Sequence, residues 1–270
     1  MPLQVQSAQG VPPAPPGQPG QPKIRLTGVR KSFGPKVVLD GVDLEVGAGE
    51  SLVIMGGSGT GKSVLLKHMI GLLQPDSGKV EVDGVDLASL APRELTEFRS
   101  RFGMSFQEGA LFDSMTVAQN IGFPLTRLRP KKSHAEIAAR VEECLGLVGL
   151  EGVGGKMPSE LSGGMRRRVG FARAIAIEPQ ILLFDEPTSG LDPVLTAVID
   201  QLIVSLGRNL QSTTITITHD LTSAFRIADR VAMLYQGKVI AIGDVETFRG
   251  SQDPRVRQFI EGRADGPLTD

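Results

Sequence analysis

The chain has 270 residues, of which 40 % are hydrophobic and 22 % charged, with a formal net charge of -1 at pH 7. This is the balance of a globular protein with a sizeable core, and it excludes the basic footprint of a nucleic-acid binder. A single cysteine, Cys144, excludes an intrachain disulfide, fits a reducing compartment and reads as a small apolar helix residue rather than a nucleophile. No apolar run reaches the roughly 18 to 20 residues needed to cross a bilayer, so any membrane role is expected through a partner.

In chain order, residues 1–22 are rich in Pro, Gly and Gln and are expected to form a disordered arm. They lack the basic-then-apolar pattern of a secretory leader. KIRLTGVRKSF and VVLDGVDLEV predict two strands around a turn at Gly34-Pro35. SLVIM predicts a buried parallel strand, and KSVLLKHMIGLL carries helical spacing. KVEVDGVDL predicts a short strand pair, RELTEFRS a helix and FGMSFQ an extended segment. AEIAARVEECLGLVGL predicts an amphipathic helix ending in glycine, and MRRRVGFARAIAI another helix, stopped at Glu178-Pro179. ILLFDE and TTITITH predict buried strands, VLTAVIDQLIVSL and LTSAFRIADR helices, and VAMLYQGKVIAIG a hairpin turning at Gln236-Gly237. The expected domain spans 23–250, a β/α core interrupted by a helical subdomain over about 108–178, with 251–270 as a tail.

Between the first buried strand and its helix lies GGSGTGKS: Gly56, Gly57, Ser58, Gly59, Thr60, Gly61, Lys62 and Ser63. It matches G-x-x-x-x-G-K-[ST] in the strand–loop–helix setting that the motif requires. Backbone N–H groups and the helix N-terminus would wrap a triphosphate. Lys62 would reach the β- and γ-phosphates, and Ser63 would offer its hydroxyl oxygen to Mg²⁺. ILLFDE ends in Asp185, placed to support Mg²⁺, and Glu186, placed to act as general base. Two adjacent carboxylates repel, so a cation or proton between them is expected. His219 and Gln107 close two further predicted strands at the same edge. A second glycine turn, LSGGM, opens another helix, with Ser162 as N-cap and the N–H groups of Gly163 and Gly164 open. Arg166, Arg167 and Arg168 then crowd that helix's first turn against its dipole, so nearby acids or a bound anion are expected.

Together these segments resemble the ATP-binding-cassette ATPases over residues 24–250. The resemblance implies an α/β cassette: a RecA-like β/α core, an N-terminal antiparallel β portion and an inserted α-helical subdomain. GGSGTGKS stands as Walker A, Gln107 at the Q-loop, LSGGM as the signature, ILLFDE as Walker B, SGLD with Asp192 as the D-loop and His219 as the switch histidine. Phe33 stands where an aromatic ring stacks on adenine, and Val38 joins the cofactor-binding set. ATP and Mg²⁺ are the implied cofactors, with Ser63, Gln107 and Asp185 toward the metal. The implied assembly is a head-to-tail dimer, in which the signature of one copy completes the phosphate-loop site of the other. Met165 departs from the commoner glutamine of the signature, and Phe33 from the commoner tyrosine.

GKSVLLKHMIGLLQPDSG, FQEGALFDSMTVAQNIGFPL, MPSELSGGM and DPRVRQFIEGRADGP look like the ATPase subunits of Mce/Mla-type lipid transporters. That branch implies an inner-membrane permease, an Mce-domain substrate-binding protein, a possible small regulatory subunit, and a position on the cytoplasmic face of the inner membrane. Leu111, Phe112 and Met115 are expected to help dock the permease, with about half of the apolar residues in 109–123 packing inward. The tail, with Val256, Phe259 and Ile260 on one helical side, is expected to touch a second subunit or a small partner as well as its own domain. Alternatives are an ABC subunit for amino acids, metals or lipoproteins, a non-transport ABC ATPase, and a non-catalytic nucleotide-binding module.

Overall fold

The computed structural model describes residues 21–107, 109–129 and 132–269, so nearly all of the arm expected over 1–22 lies outside the described residues. β1 (Ile24–Phe33) and β2 (Lys36–Val46) form the hairpin around Gly34-Pro35. β3 (Ser51–Met55) leads through the glycine loop into α1 (Lys62–Met69). β4 (Ser77–Val82) and β5 (Val85–Asp86) are the short pair, followed by α2 (Pro92–Phe98) and β6 (Phe102–Ser105). Next come α3 (Val117–Leu128), α4 (His134–Leu147) and α5 (Gly163–Ile175). β7 (Ile181–Asp185), α6 (Pro193–Leu210), β8 (Thr213–Ile217) and α7 (Leu221–Ile227) then alternate. β9 (Arg230–Tyr235) and β10 (Lys238–Asp244) turn at Gln236-Gly237, and α8 (Val245–Arg249) and α9 (Pro254–Glu261) follow.

Among the described residues the strands form two sheets, β2-β1-β4-β5 and β10-β9-β3-β8-β7-β6. The first is antiparallel; the second is parallel except where β10 joins β9. Strand alternation sends the larger sheet's side chains into two cores. Leu52, Ile54, Ile181, Leu183, Ile215 and Ile217 share one core with the antiparallel sheet and α1. Val53, Met55, Leu182, Phe184, Val231 and Met233 share the other with residues of α3 to α9. Burial on both faces is why SLVIM and ILLF read as unbroken apolar runs.

β6 and β7 are parallel neighbours, so the chain between them must cross over. The crossover is the helical insertion α3–α5, where the sequence places it. Helix α3 itself was not among the sequence-based expectations. Pro124 sits inside it and argues against a continuous helix, although Val117, Ile121, Leu125 and Leu128 keep helical spacing. The readable signal was the capping box: Gln119 N–H donates to Thr116 Oγ1 at 3.2 Å, and Thr116 N–H donates to Gln119 Oε1 at 2.8 Å. Buried Asn120 folds the preceding turn onto α3, donating to the Phe112, Met115 and Thr116 carbonyls and accepting from Phe112 N–H. Leu111, Val117 and Ile121 pack inward, whereas Phe112 is exposed.

Residues 251–269 fold onto their own domain. Val256 is fully buried, and Phe259 and Ile260 pack beside it. Gln258 turns the chain back after Gly262: its Oε1 accepts from Leu268 N–H at 2.7 Å and its Nε2 donates to the Arg263 carbonyl at 3.2 Å. Tyr235 Oη donates to the Pro267 carbonyl at 3.0 Å. Val256→Ala should therefore cost about 2 kcal/mol in urea denaturation and speed proteolysis beyond residue 250. An unchanged midpoint would mean that α9 is not docked in solution.

Candidate nucleotide-binding site

The glycine loop cannot carry side chains where it matters. A Cβ on Gly56 (φ 150°) would lie 2.3 Å from the Leu234 carbonyl, and one on Gly61 (φ 103°) 2.9 Å from the Val38 carbonyl. Helices α3 to α9 each carry a Ser, Thr or Asp cap, but α1 has no side-chain cap. Its first N–H groups are thus available to an anion. Lys62 Nζ reaches back into the loop, donating to the Gly56 carbonyl at 2.8 Å and the Gly57 carbonyl at 2.9 Å. Burial lowers its pKa, against the pull of Glu186 and Asp185. Thr60 Oγ1 donates to the Gly57 carbonyl at 3.0 Å and tightens the turn.

Across from the loop, Ser63 Oγ donates to Asp185 Oδ1 at 3.3 Å. Burial first, and then the charge of Glu186, push the Asp185 carboxyl up, while the Ser63 bond opposes them. Glu186 follows in a left-handed conformation (φ 50°), unusual for a residue with a side chain, and its N–H donates to the Ile217 carbonyl at 2.9 Å. His219 Nδ1 lies 2.9 Å from Glu186 Oε2. Gln107 Nε2 donates to Ser189 Oγ at 3.2 Å.

These groups surround one cleft of about 770 Å³, lined by Phe33, Lys36, Val38, Gly57, Ser58, Gly59, Gly61, Lys62, Ser63, Val64, Gln107, Glu186, Ser189 and His219. Phe33 is 48 % exposed, which leaves its ring face open for stacking. Lys36 and Val64 are not among the residues the sequence points to, although both flank named positions, and Ser189 opens the SGLD segment. Ser162, Gly163, Gly164 and Asp192 do not line this cleft. Ser162 caps α5, accepting from Met165 N–H at 3.3 Å, and Asp192 caps α6, accepting from Val194 and Leu195 N–H at 2.9 and 3.0 Å. The two segments lie side by side: a Cβ on Gly164 would touch Leu195 Cδ1 at 3.8 Å.

The arginines at the start of α5 donate to carbonyl oxygens of neighbouring segments. Arg166 Nη1 donates to the Leu161 carbonyl at 2.8 Å and Arg168 Nη1 to the Gly149 carbonyl at 3.1 Å. Arg167 donates to the Gln107 carbonyl at 2.9 Å and also to the Ser189 carbonyl. Charge-assisted bonds to these oxygens offset the dipole, and Arg167 ties the signature helix to two segments of the cleft. Cys144 is buried, and burial pushes its thiol up to about 11, which removes it as a nucleophile.

Asp185 has a raised folded-state pKa, so keeping it ionised costs stability. That cost is complete above the folded value and absent below the unfolded one. Asp185→Asn should therefore melt higher than the parent at pH 7 without nucleotide, with the gain shrinking as pH falls through the raised folded value and gone below about pH 4. An equal or lower melting temperature at pH 7 would contradict this charge balance.

The family described as ABC transporter matches residues 39–189. The chain is 46 % identical over 245 residues to the probable ribonucleotide transport ATP-binding protein mkl of Mycobacterium tuberculosis, covering 91 % of this chain and 68 % of that protein. It is 43 % identical over 238 residues to the intermembrane phospholipid transport system ATP-binding protein MlaF of Haemophilus influenzae, covering 87 % of this chain and 89 % of that protein. Among solved structures, a dimeric ATP-binding cassette in a post-hydrolysis state with ADP and Pi matches with a TM-score of 0.75 at 34 % identity, covering 82 % of this chain and 98 % of that one. A phosphate loop, a carboxylate pair and a histidine gathered at one strand edge, in a chain with these relatives, make it a member of the ABC transporter family and an ATP-binding ATPase cassette.

Proposed function

We propose that this ATPase powers a transporter moving phospholipid or another hydrophobic substrate between bacterial membranes. The convergence of Lys62, Ser63, Glu186 and His219 on one cleft carries the ATPase reading. The phospholipid transport relative supports the cargo class, because the two chains match over nearly their whole lengths. The mycobacterial relative's name points to ribonucleotides, and that protein extends further beyond the shared part.

In this reading adenine stacks on Phe33 beside Val38, and the triphosphate lies along residues 56–63 and the open end of α1. Lys62 exchanges its two loop carbonyls for phosphate oxygens. Ser63, Asp185 and Gln107 would hold Mg²⁺, which supplies charge neutralisation to the phosphates. The residues fit the ion: a hydroxyl and a half-buried carboxylate meet at 3.3 Å, beside a second carboxylate that disfavours ionisation of the first. Among the described residues no cluster of three His, Cys, Asp or Glu could hold a metal alone. That suits an ion that keeps waters and phosphate oxygens as ligands. Glu186 accepts a proton from the attacking water, and His219 holds the carboxylate in aim and donates toward the γ-phosphate.

Ser162, Gly163 and Gly164 lie outside their own chain's cleft, so a second copy, placed head to tail, supplies them to the other side of the nucleotide. The solved relative's being a dimer supports this. A permease docks in the groove of about 490 Å³ beside β6, where Phe106, Phe112 and Phe123 stand near the end of α3. Leu111 packs inward and Met115 lines a separate groove between α3 and α4, so of the three Phe112 is left for that role. No helix among the described residues is long and apolar enough to cross a membrane, and the permease would hold the ATPase at the cytoplasmic face of the inner membrane. An Mce-domain protein and a small regulatory subunit complete the proposed assembly, the latter or the second copy meeting the exposed side of the tail.

Glu186→Gln should bind ATP, lose turnover by about 100-fold or more and accumulate as an ATP-bound dimer, whereas Lys62→Ala should lose both binding and turnover. Tagged Glu186→Gln protein, recovered from detergent-solubilised membranes of its host, should bring a permease, an Mce-domain protein and phospholipid. Normal hydrolysis would overturn the base assignment. Recovery of a different permease without lipid would overturn the cargo.

A further inference from the structure

One fully buried carboxylate takes no part in this chemistry. Asp200, on α6, is 0 % exposed, and its Oδ1 has no hydrogen-bond partner. Its Oδ2 accepts from Ser223 Oγ at 3.1 Å and from Arg226 Nη1 at 2.5 Å, both on α7. Ser223 Oγ also lies 3.4 Å from Thr188 Oγ1, and both hydroxyl residues are buried. Burial pushes the Asp200 carboxyl up, and the bonds from Ser223 and Arg226 oppose it.

The positions of these residues give the network its meaning. Thr188 stands two residues after Glu186, and Ser223 four after His219. Asp220, next to His219, caps α7 by accepting from Thr222 and Ser223 N–H at 2.8 and 3.1 Å. The Glu186 and His219 segments are thus joined twice, by the catalytic pair at 2.9 Å and by the Thr188–Ser223 contact behind it. A hydroxyl has one proton, and a carboxylate only accepts. Ser223 must therefore give its proton to Asp200 and accept from Thr188. Without the carboxylate, both hydroxyls could rotate. Glu186 itself sits at positive φ, a conformation that persists only where the surroundings impose it.

We propose that Asp200 is a positioning residue for hydrolysis: by directing the chain Thr188 to Ser223 to Asp200, it locks the segment behind Glu186 to the helix behind His219. Its own helix, α6, begins at the Asp192 cap beside Gly164, about 12 Å from Asp200 at 1.5 Å per residue. Asp200 thereby links the catalytic pair to the surface on which the second copy is placed. This rests on Glu186 and His219 acting as proposed above.

Ser223→Ala, Thr188→Val, their double variant and Asp200→Asn, in the full chain, test it through steady-state ATP hydrolysis. Each single change should lower kcat about tenfold with KM for ATP within about twofold, and the double variant should lose no more than either single one. A purely structural role would lower the melting temperature and leave kcat of the folded fraction intact. Unchanged kcat in Ser223→Ala and Thr188→Val, or losses that multiply in the double variant, would overturn the proposal. Those two variants decide even if Asp200→Asn fails to fold. Glu186→Gln run alongside separates the cases: if it hydrolyses normally, the assignment of the base has failed instead.

Discussion

The parallel ladders joining β3, β8 and β7 decide where everything else in this protein can be. Ile54 pairs with Ile217, and Asp185 with the same Ile217, so three apolar strands end level with one another. The ladders run one residue further, through Glu186 N–H to the Ile217 carbonyl and Thr218 N–H to the Ile54 carbonyl. Past that line the chain meets water and turns polar. Gly56, Glu186 and His219 emerge there from separate strands, and Gln107 from β6 beside them. Parallel strands also require helical returns, so α1 opens at this edge with its N–H groups outward. A phosphate cradle and its acid–base pair are thus one geometric consequence of burying SLVIM, ILLF and TTITI on both faces.

That consequence explains what could be read early. Apolar runs ending in a polar motif carry strand, edge and chemistry together, so the phosphate loop, Asp185, Glu186 and His219 were legible as residues and as neighbours. Helix α3 was not, because Pro124 in its middle reads as a break, although Thr116 and Gln119 announce its start and Val117, Ile121 and Leu125 keep its period. Contacts that depend on side-chain geometry across the fold were not legible either. Ser189 meets Gln107 across 82 positions, and Asp200 meets Ser223 across 23. Nothing local in the arginine run shows that its partners are carbonyls of distant loops. The folding back of residues 263–269 likewise depends on the distant Tyr235 hydroxyl as well as on the Gln258 amide.

The cleft is complete for chemistry and incomplete for enclosure. Its acid–base pair, phosphate loop and adenine face come from one chain, whereas the signature of that chain stands apart, against α6. Arg167 nevertheless binds the signature helix to the carbonyls of Gln107 and Ser189. Displacement of the signature by another copy's nucleotide would therefore be felt in the cleft of its own chain. The groove beside β6 shares its loop with Gln107, so the same displacement would reach a docked permease. In the proposed assembly ATP is the bond between copies, and its hydrolysis the release.

Mixing two inactive chains tests this division of labour most directly. Lys62→Ala spoils the phosphate loop and leaves the signature, and Ser162→Arg does the reverse. Single-turnover ATP hydrolysis would be followed for each alone and for the mixture. If the signature acts across copies, the mixture recovers hydrolysis, because one of its two sites joins an intact loop to an intact signature. A mixture as silent as its parts would mean that each chain completes its own site.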